Sequence, residues 1–506
     1  MNIELILSWF FATAYFIVLI AIGIWASKKI KNFEGYIVAG RDLGFWVFTL
    51  LVIASCMSGM SILGASGLGY IGGWPTIWEQ VFVPLSCALT ILLFGTKLHR
   101  IASKRGYLTL QDYLADRFQS PRLIRAISGF TVFFVSLIYL VGQYTAVGIT
   151  LQRVLKVSYQ TSVVIGAVIV TFYVFLGGLY AVSWTSLIQG LILILGVLIV
   201  SPIIIAKAGG LTHINQTISA IDANMVAAAY PQVHPPYAPY AFMTPLFIIS
   251  FAFLLSLGLA AAPHVINNSL AARKNNYFKW APLAAFSIYV VIFYLIKMVG
   301  FAARTMVEDG IMALPQGVPN PQDFCFIVAV EHSFGPFMWT FFGMIVLAAV
   351  MSTTDRLLLT IGSSFAWDIY RNLFKTDATD SSITAVSRLV VFVSAVISIL
   401  LALHPPKLLA WLIWMGIGVM LAVFVAPILG GLYWKRANRF GAALSMSSGL
   451  ISAFIFGYLG RFVIKLPFHF SFIPFIISVL ALIAGSYMTK PPPEQILSDT
   501  ETGLHF

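Results

Sequence analysis

The chain has 506 residues, of which 59% are hydrophobic and only 9% charged. No water-soluble globular protein of that length carries so few charges, so the composition reads as an integral membrane protein. A net charge of +12 would fit a nucleic-acid binder, but its placement along the chain follows the rule of a bilayer protein instead.

A helix needs about 20 apolar residues to cross a ~30 Å hydrocarbon core. Thirteen segments qualify, at about 5–26, 45–70, 74–96, 126–152, 159–180, 182–206, 242–262, 280–301, 337–370, 384–403, 408–432, 441–463 and 468–488. Most of the 30 Lys and Arg fall on alternate connectors, among them Lys28–Lys31, Lys97–Arg125, Arg273–Lys279 and Lys435–Arg439. This asymmetry places the N-terminus outside and the C-terminus in the cytoplasm of a multi-pass protein of the cell (plasma or inner) membrane. The first span runs straight into Lys28-Lys29 with no small-residue cleavage site, and is expected to be retained. Cys56, Cys87 and Cys325 are too scattered for a disulfide framework or a metal cluster.

Setting the first span aside leaves ten. Five begin on the inner side and the next five on the outer side, the topology of a five-plus-five inverted repeat. The chain therefore divides into a first peripheral helix and inner loop (1–44), a ten-helix transport core (45–432), and two peripheral helices with a cytoplasmic tail (433–506).

Two spans carry small polar residues at mid-depth: Ala54-Ser55-Cys56-Met57-Ser58-Gly59-Met60-Ser61, and Ala349-Val350-Met351-Ser352-Thr353-Thr354-Asp355. Both are expected to be interrupted helices, which persist in hydrocarbon only where they line a cavity or bind something. Carbonyls of Ala54, Met57 and Ala349, with hydroxyls of Ser352 and Thr353, would suit sodium, a hard monovalent cation. Spacings of three and four put Ala349, Ser352 and Thr353 on one helix face. The alternative is that these hydroxyls bond back to their own helix and serve packing.

The motifs "NFEGYIVAGRDLG" (32–44), "ASCMSG" (54–59), "GGLYAVSWTSLIQG" (177–190), "APHVINNSLAARK" (262–274), "AAVMSTTD…SSFAWDIY" (348–370) and "PILGGLYWKRANRFGA" (427–442) span nearly the whole chain. On them the chain resembles the sodium:solute symporter family. The resemblance implies an all-α membrane protein of thirteen transmembrane helices, with the inverted repeat of the leucine-transporter fold. It also implies a sodium site at the positions of Ala54, Met57, Ala349, Ser352 and Thr353, and no cofactor beyond that coupling ion. "HPPKLLAWL" (404–412) and the residues that follow resemble the pantothenate branch, and "GRDLG", "ASCMSG" and "YAVSWT" the proline branch. Cys56 stands where the proline branch, but not the pantothenate type, has an Asp, Ser186 where an Asp is widespread in the family, and Asn268 where an Arg is usual. Without those acids a second sodium is not expected.

In such a fold the solute lies beside the interruptions. Ser58, Gly59 and Ser61 follow the first one. Glu79 and Gln80 lie on the next span, Tyr139, Gln143 and Tyr144 on the one after, and Trp414 on the last core span. Their polar and aromatic mix suits a small organic solute bearing a carboxylate or amide; each residue alone is as well explained by packing. Asp355 and Arg356 are adjacent in-membrane charges that cannot face each other on a helix, so each needs its own partner, and Arg356 is expected either to anchor a solute carboxylate or to snorkel. Lys297, near the outer end of its span, is expected to snorkel, and His264 to cap a helix. No HExxH, GxSxG or Walker pattern points to an enzyme. The expected activity is sodium-coupled uptake of a small solute such as pantothenate, with proline, another amino acid or a monocarboxylate as the alternative solute, and Asp355 and Glu79 keep proton coupling open. The partners are sodium, the solute and the lipid bilayer, with no nucleic acid and no obligate protein partner.

Overall fold

The computed structural model describes residues 3–231, 243–318, 320–404, 409–464 and 466–501. The described residues are helical, with one isolated bridge between Leu43 and Ala272 outside the helices. The long apolar helices are α1 (Ile3–Ser27), α2 (Phe45–Cys56), α3 (Ser61–Gly72), α4 (Trp74–Arg105), α5 (Leu123–Leu155), α6 (Tyr159–Lys207), α7 (Pro245–Gly258), α8 (Pro263–Ala271), α9 (Tyr277–Glu308), α10 (Phe337–Phe374), α11 (Asp380–Ala402), α12 (Ile413–Tyr433), α13 (Arg439–Gly460) and α14 (Phe472–Met488).

By length and apolarity, nine helices among the described residues can cross a membrane, or up to eleven when each bent pair is one span. The expected thirteen is reached only by also dividing α6 and admitting α14, which has 17 residues. The division of α6 has a physical basis. Tyr173 and Thr185 donate to the same oxygen, Asp355 Oδ2, at 3.0 and 3.2 Å. Along a continuous helix these residues would stand about 18 Å apart. The chain therefore folds back between them, at Gly178, whose backbone (φ 47°, ψ −142°) is non-helical.

Burial separates the centre from the periphery. The apolar windows of α10 and α12 are 83% and 89% buried, whereas that of α1 is 28% buried and faces outward along most of its length. Among the described residues two pairs are bent, α2/α3 at 65° and α7/α8 at 45°. They are the first and sixth members of the ten core spans, the equivalent places in two repeats of five.

One sequence expectation is corrected here. The run Ala349–Asp355 does not interrupt its helix, which is regular from Pro336 to Ser363. Ser352 and Thr354 donate back to Ala349 O (2.9 Å) and Val350 O (2.7 Å). Hydroxyls that satisfy themselves along the helix put polar groups at mid-depth without unwinding it. The second interruption lies instead at Gly258–Pro263, where proline removes a backbone donor.

A Cβ at Gly178 would stand 2.3 Å from Tyr36 O. Gly178→Ala is expected to cost at least about 2 kcal/mol of stability from backbone strain alone. Gly310→Ala, also at positive φ but with open space around it, should cost about 1 kcal/mol. Thermal unfolding of both variants in the same detergent checks the difference.

Candidate cation and solute site

At the α2/α3 junction the backbone leaves the helix and most of the freed groups find named partners. Met57 N still donates to Ile53 O (2.9 Å), closing the last turn of α2. Ser58 N, which would have donated to Ala54 O in a continuing helix, turns to Ser61 Oγ (3.0 Å). Gly59 N donates to Gln143 Oε1 on α5 (3.1 Å). Tyr289 OH on α9 donates to Cys56 O (3.2 Å) and lies 3.2 Å from Ser61 Oγ. Ala54 O and Met57 O both accept from Thr353 Oγ1 on α10, at 3.1 and 2.5 Å. Ser352 Oγ lies 3.5 Å from Ala54 O and 2.9 Å from Ala349 O.

The five oxygens expected from the sequence are thus brought together by these contacts, across two helices about 300 residues apart in the chain. All five are neutral, and all five residues are buried. Ala54, Met57, Ala349 and Ser352 line one small cavity with Tyr289 and Gln189. Neutral carbonyl and hydroxyl oxygens are the groups that replace the hydration shell of a monovalent cation.

The solute-site expectations divide. Ser58, Gly59, Ser61 and Gln143 belong to the interrupted turn, and Gln143 keeps its Nε2 without a partner among the described residues. Gln80 is buried, and neither atom of its side-chain amide has a partner among the described residues. The Tyr139 ring packs edge-on against His264, with centroids 5.8 Å apart. Trp414 stands edge-on to Phe251, with ring centroids 5.1 Å apart. Tyr144 is a packing contact, its hydroxyl 3.1 Å from Thr171 Oγ1.

Glu79 and Lys297 require a correction. Lys297 does not snorkel: its side chain is 0% exposed, and its Nζ lies 3.2 Å from Glu79 Oε2, itself 3% exposed. Each charge is the other's counter-ion, so Glu79 serves the α4/α9 contact before it serves a solute. The adjacent pair Asp355-Arg356 resolves as its helical spacing requires. Asp355 turns toward α6, receiving Tyr173 and Thr185. Arg356 donates from Nε (3.3 Å) and Nη2 (3.1 Å) to His264 O, at the start of α8. It is 2% exposed, so it neither snorkels nor forms an ion pair among the described residues. His264 does not cap its helix: no side chain caps the start of α8, and both His264 ring nitrogens are buried without partners among the described residues.

Tyr289 and Gln189 were missed in the sequence. A Tyr at mid-depth of the apolar stretch of α9, and a Gln inside that of α6, are the signals that could have marked them.

Removing one member of a buried ion pair strands the other charge. Lys297→Met alone is expected to destabilise the chain by about 3–5 kcal/mol, and Glu79→Gln with Lys297→Met together to recover most of that loss. Unfolding temperatures of the single and double variants report the recovery.

The model of the sodium:solute symporter family matches residues 36–449. The osmoregulated proline transporter OpuE of Bacillus subtilis (strain 168) is 27% identical, over 97% of this chain and 96% of that protein. The sodium/proline symporter of Escherichia coli (strain K12) is 27% identical over 94% and 93%, and the sodium/pantothenate symporter of the same organism is 24% identical over 99% and 100%. A solved Na+-coupled sialic acid symporter, in a substrate-bound outward-open state, superposes with a TM-score of 0.79 at 20% identity over 96% of this chain and 98% of that one. Mhp1, a nucleobase-cation-symport-1 family transporter, superposes at 0.53 with 13% identity over 92% and 98%. The all-helical, leucine-transporter-like fold is therefore shared. With its family model matched over most of its length, the chain belongs to the sodium:solute symporter family, whose members are transporters and not enzymes.

Proposed function

We propose that the chain is a sodium-driven symporter that imports a small organic anion or zwitterion across the cell membrane, with a carboxylate such as pantothenate as the first candidate. The observation that carries this reading is the group of five neutral oxygens on Ala54, Met57, Ala349, Ser352 and Thr353, linked by contacts of 2.5–3.5 Å. An oxygen-only, uncharged set suits a hard monovalent cation better than a proton, which needs a titratable acceptor. Glu79, one of the two acids that kept proton coupling open, is already committed to Lys297.

The expected solute residues at the interrupted turn include no free acid, while the Gln80 amide and the Gln143 Nε2 lack protein partners among the described residues. A carboxylate or amide finds donors there, and an isolated amine finds no counter-charge. Proline is the second candidate, favoured because relatives named for it reach 27% identity.

In this reading residues 45–432 form the transport core, with the N-terminus outside and the C-terminus in the cytoplasm. Sodium bound between α2 and α10 holds the outward-open arrangement, and the solute beside the interrupted turn closes it. The Lys/Arg-rich side is tied shut by several contacts. Arg125 pairs with Asp112 (2.7 Å) and Asp368 (3.1 Å), and Arg41 reaches Tyr107 O (2.7 Å) and Leu270 O (3.4 Å). Inward release would have to open these ties.

The test is uptake into proteoliposomes under sodium, potassium or proton gradients, against pantothenate, proline and short carboxylates. A sodium gradient alone should drive accumulation, and equal uptake without it removes the sodium reading. Ser352→Ala with Thr353→Ala should raise the half-saturating sodium concentration at least about tenfold, the loss of about 1.4 kcal/mol of ion contact. An unchanged sodium requirement contradicts the assigned oxygens.

A further inference from the structure

Outside the transport site, the cavity best defined by charge lies where three spans end together. It has a volume of about 320 Å³ and is lined by Leu123 at the start of α5, by Arg439 and Phe440 at the start of α13, and by Lys490 just beyond α14, with Arg117 in its wall. Helix ends mark the depth at which hydrocarbon gives way to headgroups. The belt beside it agrees with that depth: Trp434 packs on Tyr487, centroids 5.9 Å apart, and Arg436 lies over the Tyr487 ring at 5.5 Å.

The cavity has two chemically different sides. Leu123 and Phe440 are 49% and 45% exposed and present an apolar mouth. Arg439 and Lys490 are exposed cations, and neither forms an ion pair among the described residues. Arg117 is buried, donating to Gly431 O (3.0 Å) and Trp434 O (3.3 Å). No Asp or Glu lines the cavity. Asn438, which also lines it, has its side chain committed to capping α13 and to the carbonyls of Ser486 and Lys490. The walls are thus held in place by bonds of their own, and the two outer cations are left over.

A basic recess open to hydrocarbon at headgroup depth matches one class of ligand, in which an anionic phosphodiester and acyl chains are joined in one molecule. The geometry points to a binding site for an anionic phospholipid headgroup of the leaflet on the Lys/Arg-rich side, with Arg439 and Lys490 facing the phosphodiester and Leu123 and Phe440 the first acyl carbons. A soluble phosphate would have no use for the apolar mouth, and a zwitterionic lipid would bring a second cation to a cationic wall. Because the site is remote from Ala54 and Thr353, its test is a binding measurement and does not depend on the proposed solute or coupling ion.

The full chain, purified in neutral detergent, is titrated with phosphatidylglycerol, phosphatidylcholine or inorganic phosphate. Lipid retention is read by native mass spectrometry, and unfolding temperature in parallel. Phosphatidylglycerol is expected to be retained and to raise the unfolding temperature, while the other two are not. Arg439→Gln with Lys490→Gln should weaken phosphatidylglycerol binding about 30-fold, the contribution of two cations near a headgroup. Arg439→Lys should leave it within about threefold, since the charge is kept. Equal retention of both lipids, the same thermal shift from phosphate alone, or full-strength retention by the double Gln variant would overturn the assignment. If the double variant does not fold, Lys490→Gln alone should show about a fivefold loss, and no loss would overturn it equally.

Discussion

A peptide group freed from a helix in the middle of a bilayer has no water to turn to, and leaving it unsatisfied costs several kcal/mol. The interrupted turn between α2 and α3 is organised by that constraint. Gln143 takes one amide, Ser61 another, Tyr289 one carbonyl, and Thr353 two more. Each answer comes from a different place, so satisfying one turn draws α5, α9 and α10 to the same point. The oxygens that gather there for structural reasons are also those that suit a cation.

The two helices meeting at that point are unlike. One is broken and presents main-chain carbonyls; the other is continuous and presents hydroxyls whose rotation changes which lone pairs face inward. A broken helix can tilt at its joint, and a continuous one moves as a rod. An ion bridging them would link the bend of α2/α3 to the position of α10, which packs most of its surface inside the protein. Arg356 extends the link, because its guanidinium on α10 holds the first turn of α8 at the second interruption. The buried charges thus tie elements together: Glu79 with Lys297 joins α4 to α9, and Asp355 joins α10 to both arms of α6.

Much of this was legible from residue pattern. Apolar length placed the spans, and the small polar run at 54–61 located the true interruption, because Ser, Gly and Met at mid-depth match neither packing nor lipid contact well. The spacing of Ala349, Ser352 and Thr353 placed three oxygens on one face, and they do share it. What failed is equally physical. Hydroxyls at 352–354 looked like a second break, yet they bond back to their own carbonyls and leave the helix whole. The real second break is marked by Pro263, a residue that cannot donate, a stronger signal than polarity. Lys297 was read as snorkelling because its partner, Glu79, lies 218 residues away, and no periodicity reports a pairing across that distance. The reversal at Gly178 blurred two spans into one apolar run, since a single glycine carries the whole turn.

Ala54, Met57, Ala349, Ser352 and Thr353 are the proposed sodium ligands. The most direct measurement is equilibrium binding of radioactive sodium to the purified chain, without solute and without a gradient, for the parent and for Thr353→Ala. Saturable binding that unlabelled sodium displaces and potassium does not, together with its loss in Thr353→Ala, is the predicted result. Binding of undiminished affinity in a folded Thr353→Ala variant would contradict the account.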